Sequence, residues 1–239
     1  MRRCKTHVLG VCFGLLVAVS AYGQRVNVGI DAGETTDKYG SLPSNTSLEL
    51  GLDGQITLIK GNEKKGGPSI VAGGELLFPS DSNNHPREYA IFGGPVFKGH
   101  NFTFGLNAQI RKIVQPPATE SIPNAGTQVL NRYTMELLEI PVTIKYVFGP
   151  GRHAFVQVQG SPEFSPRWRN GGFNPVALPH PSLDYGYYAR GSVGYNFGKW
   201  YAKATYQGRS FEFSNNAGNP SGVYNWRNHM IFGGVGLVF

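Results

Sequence analysis

The chain has 239 residues, among them 33 Gly, 22 Lys and Arg, and 15 Asp and Glu, and 13% of its residues are aromatic. The formal net charge is +7, but the basic residues are scattered and form no stripe of the kind that binds nucleic acid. Nucleic-acid binding is therefore not the leading interpretation. The high content of glycine and aromatic residues is typical of strands, turns and interfacial aromatic girdles.

The first 23 residues have the pattern of a secretory signal peptide. Three basic residues within the first five positions precede an apolar run at Val8–Ala21, and a small-x-small cleavage sequence ends at Gly23. We therefore expect two parts, a signal peptide at residues 1–23 and one mature domain at residues 24–239. Cleavage removes Cys4, Cys12 and three of the 22 basic residues, which leaves no cysteine and a formal charge of +4.

The mature chain divides into ten segments in which apolar and polar residues alternate, as they do along β-strands. In the clearest segment, Leu48, Leu50 and Leu52 alternate with acidic and small residues. A charge at the middle of a bilayer costs about 2–4 kcal/mol, so the leucine face is predicted to meet lipid and the acidic face to point inward. The ten segments are Arg25–Gly33, Leu48–Leu58, Ser69–Phe78, Glu88–Lys98, Phe102–Arg111, Thr134–Phe148, His153–Phe164, Tyr185–Gly198, Trp200–Phe213 and Asn228–Phe239.

The connections predict how these strands are joined. Long connections at Glu34–Ser47, Pro79–Arg87, Val114–Tyr133, Ser165–Asp184 and Ser214–Arg227 alternate with four shorter ones. Transmembrane barrels have short periplasmic turns and long extracellular loops, so both termini are predicted to be periplasmic. The predicted fold is all-β, an antiparallel transmembrane up-and-down β-barrel of about ten strands, with eight strands as the alternative count.

Outward aromatic residues support this arrangement, because they gather where the two membrane interfaces are expected. A soluble sandwich or lipocalin-like barrel also alternates, and remains the alternative fold class. The predicted lower belt is Phe97, Phe102, Tyr146, Phe148, Phe197, Trp200 and Phe239, and the predicted upper belt is Tyr89, Tyr185, Tyr187 and Trp226.

Two stretches resemble known families. The chain ends in NHMIFGGVGLVF, in which Gly234, Leu237 and Phe239 resemble the C-terminal insertion signal of bacterial outer-membrane barrels. The stretch LEIPVTIKYVF at Leu138–Phe148 resembles a strand of the small outer-membrane β-barrel domain family, the OmpA-like and related barrels of Gram-negative bacteria. These resemblances imply an outer-membrane location, insertion by the barrel assembly machinery, and contact with outer-membrane lipids.

The inward-facing charges are the first candidate site. A barrel of this size has an interior that side chains can fill, and buried charges of opposite sign are expected to pair. This predicts a filled polar lumen, with a narrow or gated channel for small solutes as the alternative. The candidate residues are Glu49, Asp53, Glu75, Arg111, Glu139, Lys145, Arg190, Lys203 and Arg209.

The second candidate site is the extracellular rim. Arginine suits two-point capture of phosphate groups, which lipopolysaccharide carries in the outer leaflet. The predicted contact residues are Lys112, Arg132, Arg167, Arg169 and Arg227, and the alternative is that they are solvated loop charges.

A catalytic site is not predicted. His180, Ser182 and Asp184 lie in one Pro-rich loop, and polar residues so close in sequence are more typical of turns than of a catalytic triad. The histidines show no metal-ligand spacing. We therefore expect no enzyme activity, cofactor or metal, and a structural or surface-interaction role; a lipid-modifying or proteolytic barrel is the least favoured alternative.

Overall fold

The computed structural model describes residues 25–39, 44–62, 67–115, 118–122, 126–130, 133–170, 182–214 and 223–239. The predicted signal peptide lies outside these ranges. None of the described segments forms a helix long and apolar enough to cross a membrane.

Within these ranges the chain forms strands and one short 3-10 turn at Pro150–Arg152. The strands are β1 (Val26–Tyr39), β2 (Asn45–Ile59), β3 (Ser69–Pro79), β4 (Arg87–Lys98), β5 (Phe102–Leu106), β6 (Ala108–Gln115), β7 (Ala118–Ile122), β8 (Gly126–Leu130), β9 (Tyr133–Glu139), β10 (Val142–Phe148), β11 (Ala154–Asn170), β12 (Ser182–Asn196), β13 (Trp200–Ser214) and β14 (Val223–Val238).

The strands close into a ten-stranded antiparallel barrel, which confirms the predicted fold class and strand count. β5 and β6 together make one strand of the wall, and β9 and β10 make the next. Each wall strand pairs with its neighbours in sequence, and β14 pairs with β1 along thirteen residues. The ladder reaches the last residue, since the Phe239 amide donates to the Val26 carbonyl at 2.8 Å and the Val26 amide donates back at 3.1 Å.

The strands are longer than their alternating segments, and the predicted long connections are correspondingly shorter. β1 continues to Tyr39 and pairs with β14 up to Trp226, where the sequence analysis placed loops. The alternation fades there because both faces of the wall are polar above the apolar band. The predicted connection at Val114–Tyr133 also contains a hairpin, β7–β8, which forms a separate two-stranded sheet.

The facing of the side chains confirms a membrane-spanning barrel rather than a soluble one. Apolar side chains cover the outside; Leu48 is 69% exposed and Ile91 is 66% exposed. Charged side chains point inward and are buried; Glu139 and Glu88 are each 0% exposed. A soluble barrel would have the opposite arrangement. A closed ladder with this facing leaves no unpaired edge in lipid, and it places the protein in the bacterial outer membrane.

One local expectation is wrong. Trp226 was assigned to the outer aromatic belt but is 1% exposed and faces the lumen, where its indole N–H donates to Asp37 at 2.9 Å. Pro95 lies within β4, and the register of β3 with β4 continues through it. The wall strand on the other side of β4 is interrupted at Asn107, between β5 and β6.

Replacing Ile30 with Lys should destabilise the barrel by about 2–4 kcal/mol, because a lysine on the lipid face near the bilayer midplane loses its hydration. Ile30 is 51% exposed and lies part-way along the outer face of β1. The measurement is urea unfolding of the barrel in lipid vesicles. Thr36→Lys, on the same face nearer the extracellular end, is the control and should cost about 0–1 kcal/mol; equal losses would contradict this placement of the membrane.

Candidate functional site

Arg111 lies at the centre of a buried charge cluster in the lumen. Its Nε lies 2.9 Å from Glu139 Oε1, its Nη1 lies 2.8 Å from Glu88 Oε2, and its Nη2 lies 3.1 Å from Glu75 Oε2. The side chain is 1% exposed. A guanidinium group has five N–H donors in a rigid plane, so one arginine can satisfy three carboxylates that approach from different strands.

Two further arginines extend this cluster across the barrel. Arg209 donates from Nε to Glu163 Oε1 at 2.9 Å and contacts Glu88 through Nη1. Arg190 contacts Glu75 and donates from Nε to Gln207 at 2.8 Å. We call the seven charged residues of this network the central cluster: Glu75, Glu88, Arg111, Glu139, Glu163, Arg190 and Arg209.

An aromatic ring supports the cluster. The guanidinium carbons of Arg111 and Arg209 both lie 5.7 Å from the centre of the Tyr188 ring, a distance suited to a cation–π interaction. Gln109 also donates to Glu139. The central cluster is therefore a continuous set of charge-assisted hydrogen bonds that spans the lumen from β3 to β13.

A second group of charges lies nearer the periplasmic end. Lys203 Nζ lies 3.0 Å from Asp31 Oδ2 and 3.1 Å from Asp53 Oδ1. Gly234 of β14 faces this group, and a Cβ there would lie 1.7 Å from Asp31 Oδ1. Lys145 points inward as well, with its Nζ 3.9 Å from the centre of the Phe155 ring.

At the extracellular end, the connection between β3 and β4 contacts side chains of the lumen. His85 of this connection is 2% exposed, and its Nδ1 lies 2.8 Å from Asp37 Oδ2. The other oxygen of Asp37 accepts hydrogen bonds from Trp226 and Asn228, each at 2.9 Å. We call residues 80–86 the mouth segment. A hydrogen bond of 3.0 Å between Ser80 and Ser47 also holds this segment to β2.

Apolar side chains fill the lumen beside the charges. Phe211 and Trp226 stack with ring centres 5.0 Å apart, and a second buried group lies on the β3 and β14 side. The two groups are Ile113, Met135, Leu137, Phe211 and Trp226, and Leu77, Met230 and Phe232, all at most 3% exposed.

The structure brings seven of the nine candidate lumen residues into ion pairs: Asp53, Glu75, Arg111, Glu139, Arg190, Lys203 and Arg209. The other two, Glu49 and Lys145, face the lumen and form no ion pair among the described residues. Five further lumen residues are not among the predicted ones: Asp31, Asp37, Glu88, Glu163 and His85. Continuing the alternation to the ends of each segment would have found Glu88 and Glu163, whereas His85 follows no strand pattern.

Residues of the candidate rim site are partly described. Lys112 is exposed on the outer face of β6, and Arg227 is exposed on β14 directly opposite Lys38 of β1. Arg132 lies outside the described residues, and the side chains of Arg167 and Arg169 in β11 do too. The same holds for His180 and for the side chains of Ser182 and Asp184.

The three residues that resemble the C-terminal insertion signal lie on β14 and at its end, with the two large apolar ones on the lipid-facing side. Leu237 and Phe239 point outward and are 48% and 60% exposed, while Gly234 faces the lumen. In the described part of the chain, no group of three or more His, Cys, Asp or Glu side chains is arranged to hold a metal ion.

No protein-family model matches the chain, and no curated protein sequence matches it. Among solved structures, the chain is similar to Neisserial surface protein A, with 13% identity, a TM-score of 0.42, and coverage of 89% of this chain and 96% of that one. It is also similar to the outer membrane protease OmpT from Escherichia coli (10% identity, TM-score 0.46, coverage 90% and 96%). A third similar structure is the Pseudomonas putida toluene transporter TodX (9%, 0.33, 90% and 89%). Because all three TM-scores lie below 0.5, we base the membrane assignment on strand pairing and facing alone.

Replacing Arg111 with Ala should destabilise the barrel by about 3–5 kcal/mol, because three buried carboxylates lose a common partner. Urea unfolding in vesicles measures the loss. Arg152→Ala is the matched control, since Arg152 is exposed in a short turn, where it contacts His100, and such surface contacts contribute about 0–1 kcal/mol. Similar losses in the two variants would contradict a structural role for the central cluster.

Proposed function

We propose that this protein is a closed structural barrel of the outer membrane that acts through its extracellular surface and not through its lumen. The single observation that carries this proposal is the filling of the lumen. The central cluster spans the lumen from β3 to β13 as one network of buried ion pairs, and buried apolar side chains lie beside that network. Charges that several partners hold at once are poorly placed to line a permanent water path.

A narrow gated channel is the second candidate. It is favoured by the way in which the mouth segment is attached, since His85 contacts Asp37 across 48 residues of sequence. Loss of this contact would release the buried end of the mouth segment, at His85, while the bond between Ser80 and Ser47 holds its other end. However, the central cluster lies on the periplasmic side of the mouth segment, and its charges hold one another in place. Movement of the mouth segment alone would therefore leave the lumen blocked.

We also propose that the barrel is not an enzyme. Among the described histidines, the polar side-chain contacts are those of His85 with Asp37, His100 with Arg152 and His229 with Tyr206. None of them is with a serine, threonine or cysteine side chain that the histidine could activate as a nucleophile.

Planar bilayer recordings test the closed barrel against the channel. The refolded mature protein should show no sustained single-channel conductance, and neither should Asn84→Ala, a control in the exposed part of the mouth segment. His85→Ala should also stay silent if the central cluster seals the lumen. Sustained current in His85→Ala alone would favour the gated channel, and current in the unmodified protein would overturn the closed barrel.

We also propose that the extracellular rim binds lipopolysaccharide, and two exposed basic residues support this contact. Lys38 and Arg227 are exposed and directly opposite on neighbouring strands, and like charges in such a pair repel each other unless an anion lies between them. Phosphate groups of the outer leaflet supply such an anion, and arginine can bind one at two points. We propose that Lys112 and Arg227 take part, with Lys38 as an added member.

Charge reversal tests this contact. The double variant Lys112→Glu and Arg227→Glu should retain several-fold less lipopolysaccharide during purification from outer membranes, because both attractive charges become repulsive. Lys199→Glu, in an exposed turn at the opposite end of the barrel, is the control and should retain as much as the unmodified protein. Unchanged retention in the double variant would count against the contact.

Two finer assignments belong to the same proposal. The LEIPVTIKYVF stretch, which forms the end of β9 and all of β10, supports kinship with the OmpA-like small barrels. The outward Leu237 and Phe239 at the end of β14 support recognition of the closing strand by the barrel assembly machinery.

A further inference from the structure

The charges that face the lumen do not balance. Among the described inward-facing side chains that are buried or half-buried, the acids outnumber the bases by eight to five, and counting His85 as a base still leaves an excess of two acids. The acids are Asp31, Asp37, Glu49, Asp53, Glu75, Glu88, Glu139 and Glu163, and the bases are Arg111, Lys145, Arg190, Lys203 and Arg209.

Most of these acids have a cationic partner. The three arginines occupy the four glutamates of the central cluster, Lys203 occupies Asp31 and Asp53, and His85 contacts Asp37. Glu49 is the exception. It is 4% exposed, no described base forms an ion pair with it, and the hydroxyl of Thr35 is the one hydrogen-bond donor within its reach among the described residues.

The surroundings of Glu49 make its negative charge harder to hold. The charged groups that act most strongly on it are themselves carboxylates, namely Glu88, Asp37 and Glu75. An isolated buried carboxylate costs many kcal/mol, so Glu49 must be neutralised by a proton or by another cation. In the part of the chain that the structure describes, no base forms an ion pair with Glu49.

The neutral groups on the neighbouring strands present oxygen atoms. The hydroxyl of Thr35, on the next strand, lies close enough to interact with Glu49, and Thr35 Oγ1 accepts a hydrogen bond of 3.0 Å from Asn228. Asn228 Oδ1 is also buried without a partner among the described residues. Carboxylate, hydroxyl and amide oxygens are the ligands that hard cations prefer.

We propose that Glu49 is a binding site for a sodium-like alkali cation in the extracellular half of the lumen. A single carboxylate matches a single positive charge. No group of three acidic or nitrogen ligands among the described residues is arranged for a divalent metal, which favours the monovalent ion. The two oxygens of Glu49 suit two-point coordination, with neutral oxygens completing the shell.

Binding at this site would couple the stability of the barrel to the identity of the salt and not only to ionic strength. A cation that binds the folded barrel alone stabilises it by mass action. The site lies beside the central cluster and does not depend on the surface role proposed above, because it requires only that the barrel is closed.

The test is the temperature at which the refolded barrel loses its heat-modifiable band on SDS gels, in sodium chloride and in choline chloride at equal concentration and pH. Choline is too large to enter the filled lumen. We expect the unfolding temperature to be about 2–4 °C higher in sodium for the unmodified protein. Glu49→Gln should unfold at the same temperature in both salts, and Glu34→Gln, on the exposed outer face of β1, should keep the sodium effect.

Equal unfolding temperatures of the unmodified protein in the two salts would overturn the proposal and leave a proton as the neutralising cation. A sodium effect that persists in Glu49→Gln would overturn it as well. If Glu49→Gln does not fold, sodium-23 NMR of the unmodified barrel decides: line broadening by the barrel, reversed by acidification, supports the site, and no broadening contradicts it.

Discussion

The structure depends on one constraint, which is that lipid offers no partner for a backbone N–H or C=O group. Every strand of the wall must therefore pair on both sides, and the last strand must return to the first. The pairing of β14 with β1 along thirteen residues, ending in the mutual hydrogen bonds of Val26 and Phe239, meets this requirement. Contact with lipid also explains why the outer face is apolar and why aromatic rings lie near the turns.

Closure in turn decides what the interior can be. Once the outer face is apolar, alternation places every polar side chain of the membrane-spanning segments in the lumen, where water is scarce. A charged residue there is tolerated only with partners, so Arg111, Arg190 and Arg209 each serve more than one acceptor. The filled lumen is thus a consequence of the wall, and the same logic makes Glu49, which forms no ion pair among the described residues, notable.

The two ends of the barrel differ in how they are closed. At the periplasmic end, Lys203 joins two aspartates on neighbouring strands, while at the extracellular end a connecting segment brings His85 down to Asp37. The first arrangement is part of the wall, and the second depends on a loop.

The sequence by itself determined the wall. Alternation with a period of two, and the exclusion of charge from lipid, were enough to predict ten strands, their facing, the closing pair and the inward position of residues such as Glu139 and Arg111. These are local properties that each segment carries alone. The sequence could not show that Arg111 joins Glu75, Glu88 and Glu139, because that contact depends on the register between strands far apart in the chain. It also misplaced Trp226 and missed His85, since the partner of both, Asp37, lies on another strand. Only the tertiary structure decided these contacts, because a closed barrel brings together side chains whose positions in the sequence are unrelated.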